Sequence, residues 1–421
     1  MKKFFIAGML LAVNLASWGA PLKLDLEESI RLAYENSYTL KNADIDLVNS
    51  NLQVKEAYKE ALPKIDYRGT GDRSAEEMYG DSGDKRKTRY SHNVELVQPL
   101  YRGGVIGAGI SAAKNINERS LYEYGNTKND LRLSIIEKYI TILQLYESKE
   151  VFEKSLKEVE EQYNRANRKY ELKLLAKSDV LPFRTRVINN RTSIIETINR
   201  IKIAEVELKN ELGIARDIEI ELRPIDQQRY DLELIDLDAD VKFARMNNKD
   251  AKIANLNVEI AKAEETAAKS EFLPEVDFRF GYGSDDSRFD DSADDWQWNT
   301  GVTVSMNLFS FGQDLNAYDR AKNNTQKSKN LEFRAQDDIE VEVRSFYLDL
   351  IGLEGTVDEQ VAAVESAEEN LNLEKRRYES GLTDVIDFLQ IENVLREAEL
   401  ALIQAQLNYY LAYEKYKDSL R

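Results

Sequence analysis

Two hydrophobic rhythms divide this chain. From Phe152, apolar residues recur at Leu156, Val159, Tyr163, Ala166 and Tyr170, and again at Ile391, Leu395, Ala398, Leu402, Ala405 and Tyr409. Steps of four and three make a narrow seam along a helix, as in a coiled coil. Elsewhere the period drops to two. Val276, Phe278, Phe280 and Tyr282 alternate with Glu275, Asp277, Arg279 and Gly281, while Val302, Val304, Met306 and Leu308 alternate with Thr303, Ser305 and Asn307. Ile65 and Tyr67, then Val94 and Leu96, repeat the alternation, which predicts strands over 64–72, 92–101, 275–283 and 300–309. The flanking segments predict six helices: 25–61, 102–171, 178–212, 236–272, 312–379 and 384–420. The first opens at a capping-box pattern, Asp25-Leu26-Glu27-Glu28, and stops at Leu62-Pro63. The class is α+β.

These elements form a duplication. Leu62-Pro63-Lys64-Ile65-Asp66-Tyr67-Arg68 matches Leu273-Pro274-Glu275-Val276-Asp277-Phe278-Arg279 at an offset of 211, and Ala33 and Asn36 match Ala244 and Asn247. At an offset of 208, Leu100-Tyr101-Arg102-Gly103-Gly104 matches Leu308-Phe309-Ser310-Phe311-Gly312, and Tyr170, Leu174, Asp179 and Leu181 match Tyr378, Leu382, Asp387 and Leu389. The order is the same in both halves. Residues 21–213 therefore read as one helix–β-hairpin–helix repeat, 214–235 as a connection and 236–421 as the second repeat, with Gly213 a C-cap. A helix of about 70 residues is on the order of 100 Å long, and two shorter ones of about 36 residues equal it end to end. Each long helix is thus expected to pack against a stacked pair, giving a rod or a tube wall.

The N-terminus adds a compartment. Lys2 and Lys3 precede an apolar run from Phe4 to Val13, and Ser17, Gly19 and Ala20 follow, so residues 1–20 read as an export signal peptide. Composition then narrows the chemistry. With 32% charged residues, a net charge of −18, no cysteine and one histidine, His92, the chain offers no thiol nucleophile, disulfide or zinc ribbon and little room for a catalytic triad. No cofactor or metal is expected, and an acidic chain makes a poor phosphate-backbone binder, so no nucleic acid either. An enzyme is the least expected class.

For the four alternating strands, two readings stand: a soluble sheet with one buried face, or a membrane barrel with its apolar face toward lipid. The loops 73–91 and 284–295 are long and polar. Aspartates 285, 286, 290, 291, 294 and 295 lack the spacing of a calcium loop and read as a solvated tip. Trp296 and Trp298, where a strand would enter lipid, fit an interfacial girdle. About eight strands is the smallest barrel, so in outer-membrane lipid several copies must pool their strands.

The combination of two helix–hairpin–helix repeats, Leu-Pro before one strand, and Leu-Tyr-Arg-Gly-Gly or Leu-Phe-Ser-Phe-Gly after the next resembles the outer-membrane efflux protein family typified by TolC. Arg377-Tyr378-Glu379-Ser380-Gly381-Leu382-Thr383 followed by Asp387-Phe388-Leu389 is similar to that family's helical tip motif. The resemblance implies a homotrimer whose twelve strands form an outer-membrane β-barrel continued by a long periplasmic α-helical barrel. It implies a passive exit duct for an efflux pump or a type I secretion system, with a periplasmic adaptor and an inner-membrane transporter as partners. It also implies a pore constriction at Asp387, with Asp179 and Tyr378 in the closing contacts, and adaptor docking at Gly381, Leu382 and Thr383 and at Lys173 and Leu174. Three departures stand out: Thr383 replaces the family's arginine, Gln390 its second pore aspartate, and Lys173 stands where the second repeat has Gly381. The competing class is a periplasmic or surface coiled-coil protein of structural or adhesive function, which accounts for the heptads and the acidity equally well.

Overall fold

The computed structural model describes residues 21–76, 85–225, 229–286 and 296–421. The proposed signal peptide and Asp290, Asp291, Asp294 and Asp295 lie outside these residues. In chain order the elements are β1 (Leu22–Leu24), α1 (Leu26–Asn36), α2 (Tyr38–Lys59), β2 (Lys64–Glu76), β3 (Lys85–Arg102), α3 (Val105–Glu171), α4 (Lys177–Leu212) and β4 (Ile220–Leu222). A 3₁₀ turn at Leu232–Leu234 leads to α5 (Leu237–Asn247), α6 (Lys249–Ser270), β5 (Glu275–Asp286), β6 (Gln297–Ser305), α7 (Gln313–Glu379) and α8 (Val385–Ser419).

The helices expected over 25–61 and 236–272 are each broken once, at equivalent places. Ser37 and Asn248 take extended ψ values of 127° and 142°, so α1 and α5 end after Asn36 and Asn247. The reason is local hydrogen bonding: the Asn248 side chain accepts from the Asp250 amide at 2.8 Å and starts the next helix. The sheet also differs in extent. β2 runs to Glu76 and β3 starts at Lys85, because the ladder continues to the pair Glu76↔Lys85. β6 runs from Gln297 to Ser305, ending short of the expected Phe309.

The chain divides into two compact units. One comprises residues 21–38, 129–235 and 346–416. Here β1 and β4 pair in parallel, and the buried Tyr139 hydroxyl of α3 lies 3.0 Å from the Leu24 carbonyl and 2.7 Å from that of Arg223, fastening the ends of both strands. Burial lifts the Tyr139 phenol to about 12. Ile135, Ile136, Ile142 and Leu143 of α3 supply core beside it. Ser155 of α3, Asn190 of α4 and Glu392 of α8 form a buried polar chain. Asn190 donates to the Ser155 hydroxyl at 2.8 Å, Ser155 donates to Glu392, and Arg396 donates to Asn190 at 3.0 Å. Arg186 lies 3.1 Å from the second Glu392 oxygen, an ion pair by proximity although that oxygen receives no aligned hydrogen bond.

The other unit comprises residues 39–128, 236–345 and 417–421. It holds an antiparallel sheet in the order β2-β3-β5-β6. Leu256, Val258, Ile260, Ile339 and Val343 belong to its helical core, and the Thr325 hydroxyl donates to the Ala261 carbonyl at 3.2 Å. Asn248 donates to the Ser419 carbonyl at 2.9 Å, holding the end of the chain.

Candidate functional site

The α3–α4 and α7–α8 turns belong to the first unit. Phe183 of α4, Tyr378 of α7 and Phe388 of α8 come together there. Tyr378 lies edge-on to Phe183 at 5.7 Å and stacks on Phe388 at 5.4 Å, over a floor of Val180, Ala166, Leu371 and Val385. Burial raises the Tyr378 phenol above its ordinary value, and the nearby Asp179 carboxylate raises it further. Asp387, one turn into α8, is exposed and accepts a hydrogen bond from the Thr383 hydroxyl at 3.1 Å.

Helix starts explain why these acids sit where they do. Asp384 is the cap of α8: one of its oxygens accepts from the amides of Ile386 and Asp387 at 2.8 and 3.0 Å. Asp387 is therefore a first-turn residue, and so is Asp179 in α4. The position equivalent to Asp384 is Ala176, which makes no side-chain cap. Carboxylates in a first turn also face the partial positive charge of the helix N-terminus. The Asp384-x-x-Asp387 spacing is the signal that identifies this cap.

The turns themselves are the same despite Lys173. Its φ is 61° against 70° for Gly381. Lys173 and Leu174 donate to the carbonyls of Tyr170 and Lys169, as Gly381 and Leu382 do to those of Tyr378 and Arg377. This is the left-handed helix ending that glycine adopts freely and a side chain resists. Leu174 and Leu382, each 72% exposed, project from the two turns.

In the second unit, alternation sorts the sheet into two faces. Tyr67↔Val94, Ile65↔Leu96, Leu96↔Phe280, Val94↔Tyr282, Phe278↔Val302 and Val276↔Val304 place apolar residues opposite one another on all four strands. The other face is polar. Arg102 makes a two-pronged contact to Asp277 at 3.0 and 3.1 Å, and Arg279 reaches Glu95 at 3.2 Å. Within the chain the apolar face stays open: Ile65, Tyr67, Val302 and Val304 are 60 to 68% exposed. Trp298 lies in β6 opposite Tyr282 and is exposed, whereas Trp296 precedes the strand and packs on Tyr282 at 5.0 Å. Among the described residues no helix is long and apolar enough to cross a membrane, and no His, Cys, Asp or Glu group is placed to hold a metal.

Long helices, a sheet polar on one face and open on its apolar face, and a duplicated chain together make up this fold. The profile of the outer membrane efflux proteins matches residues 29–214 and 241–416, one stretch in each half. The chain belongs to that family and is an outer-membrane protein. Solved structures share the fold. CusC, described in terms of folding and transmembrane channel formation, superposes with a TM-score of 0.82 at 15% identity over 94% of this chain and 91% of that one. The outer membrane protein VceC of Vibrio cholerae gives 0.80 at 17% identity, over 94% and 95%. The open state of the MtrE outer membrane channel of Neisseria gonorrhoeae gives 0.76 at 17%, over 94% and 88%. No curated protein matches the sequence.

Proposed function

We propose that three copies pool their four-stranded sheets into a closed twelve-strand barrel in the outer membrane, continued by their helices as a periplasmic tunnel. The protein is then a passive exit duct for a tripartite efflux pump or a type I secretion system, served by a periplasmic adaptor and an inner-membrane transporter. The observation that carries this reading is the open apolar face of β2, β3, β5 and β6 combined with two sheet edges, β2 and β6, that are unpaired among the described residues. A lone sheet with open edges is not viable in lipid, so closure requires further copies. Trp296 and Trp298 mark one interface of the apolar band.

At the helical turns, three copies of the exposed Asp387 form a ring of carboxylates that narrows the pore and favours cations. Asp179 and Tyr378 make the closing contact beside it, and the turns at Gly381-Leu382-Thr383 and Lys173-Leu174 dock the adaptor. With Gln390 in place of a second acid, Asp387 forms the acidic ring alone. The test is single-channel recording in planar bilayers. Asp387→Ala is expected to raise conductance and reduce cation preference; an unchanged channel would rule out the constriction. A water-soluble monomer or dimer, in place of heat-resistant trimers in the outer-membrane fraction, would instead favour a coiled-coil structural protein.

A further inference from the structure

The two repeats leave their hairpins through the same backbone but with different residues. After β3, Gly103 and Gly104 have φ values of 58° and 91°; after β6, Phe311 and Gly312 have 51° and 83°. Inside the chain Gly103 is forced. A Cβ there would lie 2.8 Å from the Ser270 carbonyl, 2.9 Å from the Ser270 Cβ and 3.1 Å from the Leu273 Cβ, so β3 and β5 adjoin at a junction closed by backbone. At the equivalent place a phenyl ring is held in the left-handed region that bulky side chains resist. Its ring is 88% exposed and lies beside another exposed ring, Phe309, at 4.6 Å. A bulky residue held in this strained backbone with its ring turned outward points to a role outside the single chain.

Repeat equivalence identifies the receiver. The residues that cover Gly103, Ser270 and Leu273, correspond to Lys59 and Leu62 at the offset of 211. Lys59 and Leu62 line a cavity of about 460 Å³ together with Pro63, Lys64, Pro99 and Ile106. It lies beside β2, the edge opposite to β6 in the sheet. Where the inner junction is shut, the outer one has a hole.

We propose that Phe311 of one copy inserts into the Lys59–Leu62–Pro63 cavity of the next, a knob that keys each seam between protomers. The inference rests on the trimer proposed above and adds its register. Tyr101↔Val276 and Leu96↔Phe280 across the β3–β5 seam become Phe309↔Ile65 and Val304↔Gly69 between copies. The occupant is a second copy of this chain, because the cavity adjoins an unpaired strand edge whose repeat-related partner is the unpaired edge bearing Phe311.

The chain has no cysteine, so introduced pairs report without background. Full-length Phe311→Cys/Leu62→Cys, oxidised in outer membranes, is expected to give a covalent ladder up to trimer on a non-reducing gel, absent from either single variant. Val304→Cys/Gly69→Cys tests the edge pairing alone. If the edge pair links and Phe311→Cys/Leu62→Cys does not, the trimer reading stands and the knob is overturned. If neither links and no heat-resistant trimer forms, both fail. Phe311→Gly gives a second readout. Loss of the knob lowers the temperature at which trimers dissociate, whereas glycine in an unoccupied turn relieves strain and leaves that temperature unchanged or raised, which overturns the inference.

Discussion

Lys173 and Gly381 hold one conformation at different cost. A side chain in the left-handed region costs about 1 kcal/mol relative to glycine, so Lys173→Gly is expected to tighten the α3–α4 turn by about that amount. Gly381→Ala is expected to loosen the α7–α8 turn equally, through its backbone alone, because a Cβ there meets open space. Hydrogen exchange at Leu174 and Leu382 measures both, with roughly fivefold slower and faster exchange at the respective turns. The sequence shows a lysine where its repeat has glycine and so leaves the form of the first turn open. The conformation is imposed instead by the converging helices, whose contacts Glu158–Lys375 at 2.7 Å and Arg165–Glu379 at 3.1 Å tie α3 to α7 near their ends. Propensity at one residue yields to packing around it.

Among the elements, two fastenings carry opposite chemistry. Tyr139 fastens β1 and β4 through its neutral hydroxyl. Its phenol is raised in the folded state to about 12 from 10.0, so the unfolded chain loses its proton first. Stability from this group is complete below pH 10 and falls as pH rises toward 12. Tyr139→Phe is expected to flatten that alkaline slope in thermal melts while lowering stability at neutral pH. The α3–α4–α8 contact depends on charge. Glu392→Leu leaves Arg186 and Arg396 facing each other, and burial together with Arg186 already disfavours the charged form of Arg396. A loss of about 3 kcal/mol is expected in denaturant unfolding. Neither fastening was legible in the sequence. The heptads show that α3 and α8 have seams, but Ser155, Asn190, Glu392 and Arg396 read as ordinary solvated positions, and three-residue strands such as Leu22–Leu24 are too short for a period to register. The strands are legible because alternation over seven or eight residues, as in 275–282 and 302–308, is hard to mistake, whereas the breaks at Ser37 and Asn248 are hidden because a single extended residue barely disturbs a helical period.

For the whole molecule, the acidic, highly charged composition is compatible with outer-membrane residence because the four strands of one unit carry a continuous apolar face of their own, while the α3–α4 and α7–α8 turns belong to the other unit. That division separates insertion from recruitment. Leu382→Asp alters an exposed turn in the unit that lacks the four-stranded sheet, so heat-resistant trimers are expected to form at the normal yield while efflux or secretion fails; normal export would remove that turn from the docking surface. The candidate tip residues could be found from the repeat offset and the family resemblance. What an isolated sequence hides is which apolar residues the single chain leaves uncovered, since Leu308 and Phe311 look like core residues by type and are 86% and 88% exposed. The Ser270 backbone pressed against Gly103 makes the two halves of the chain non-interchangeable. The inner seam admits only glycine, whereas the matching backbone after β6 carries a phenyl ring. A chain built from two copies of its second half would therefore drive that ring into the Ser270 carbonyl, and its inner seam could not close.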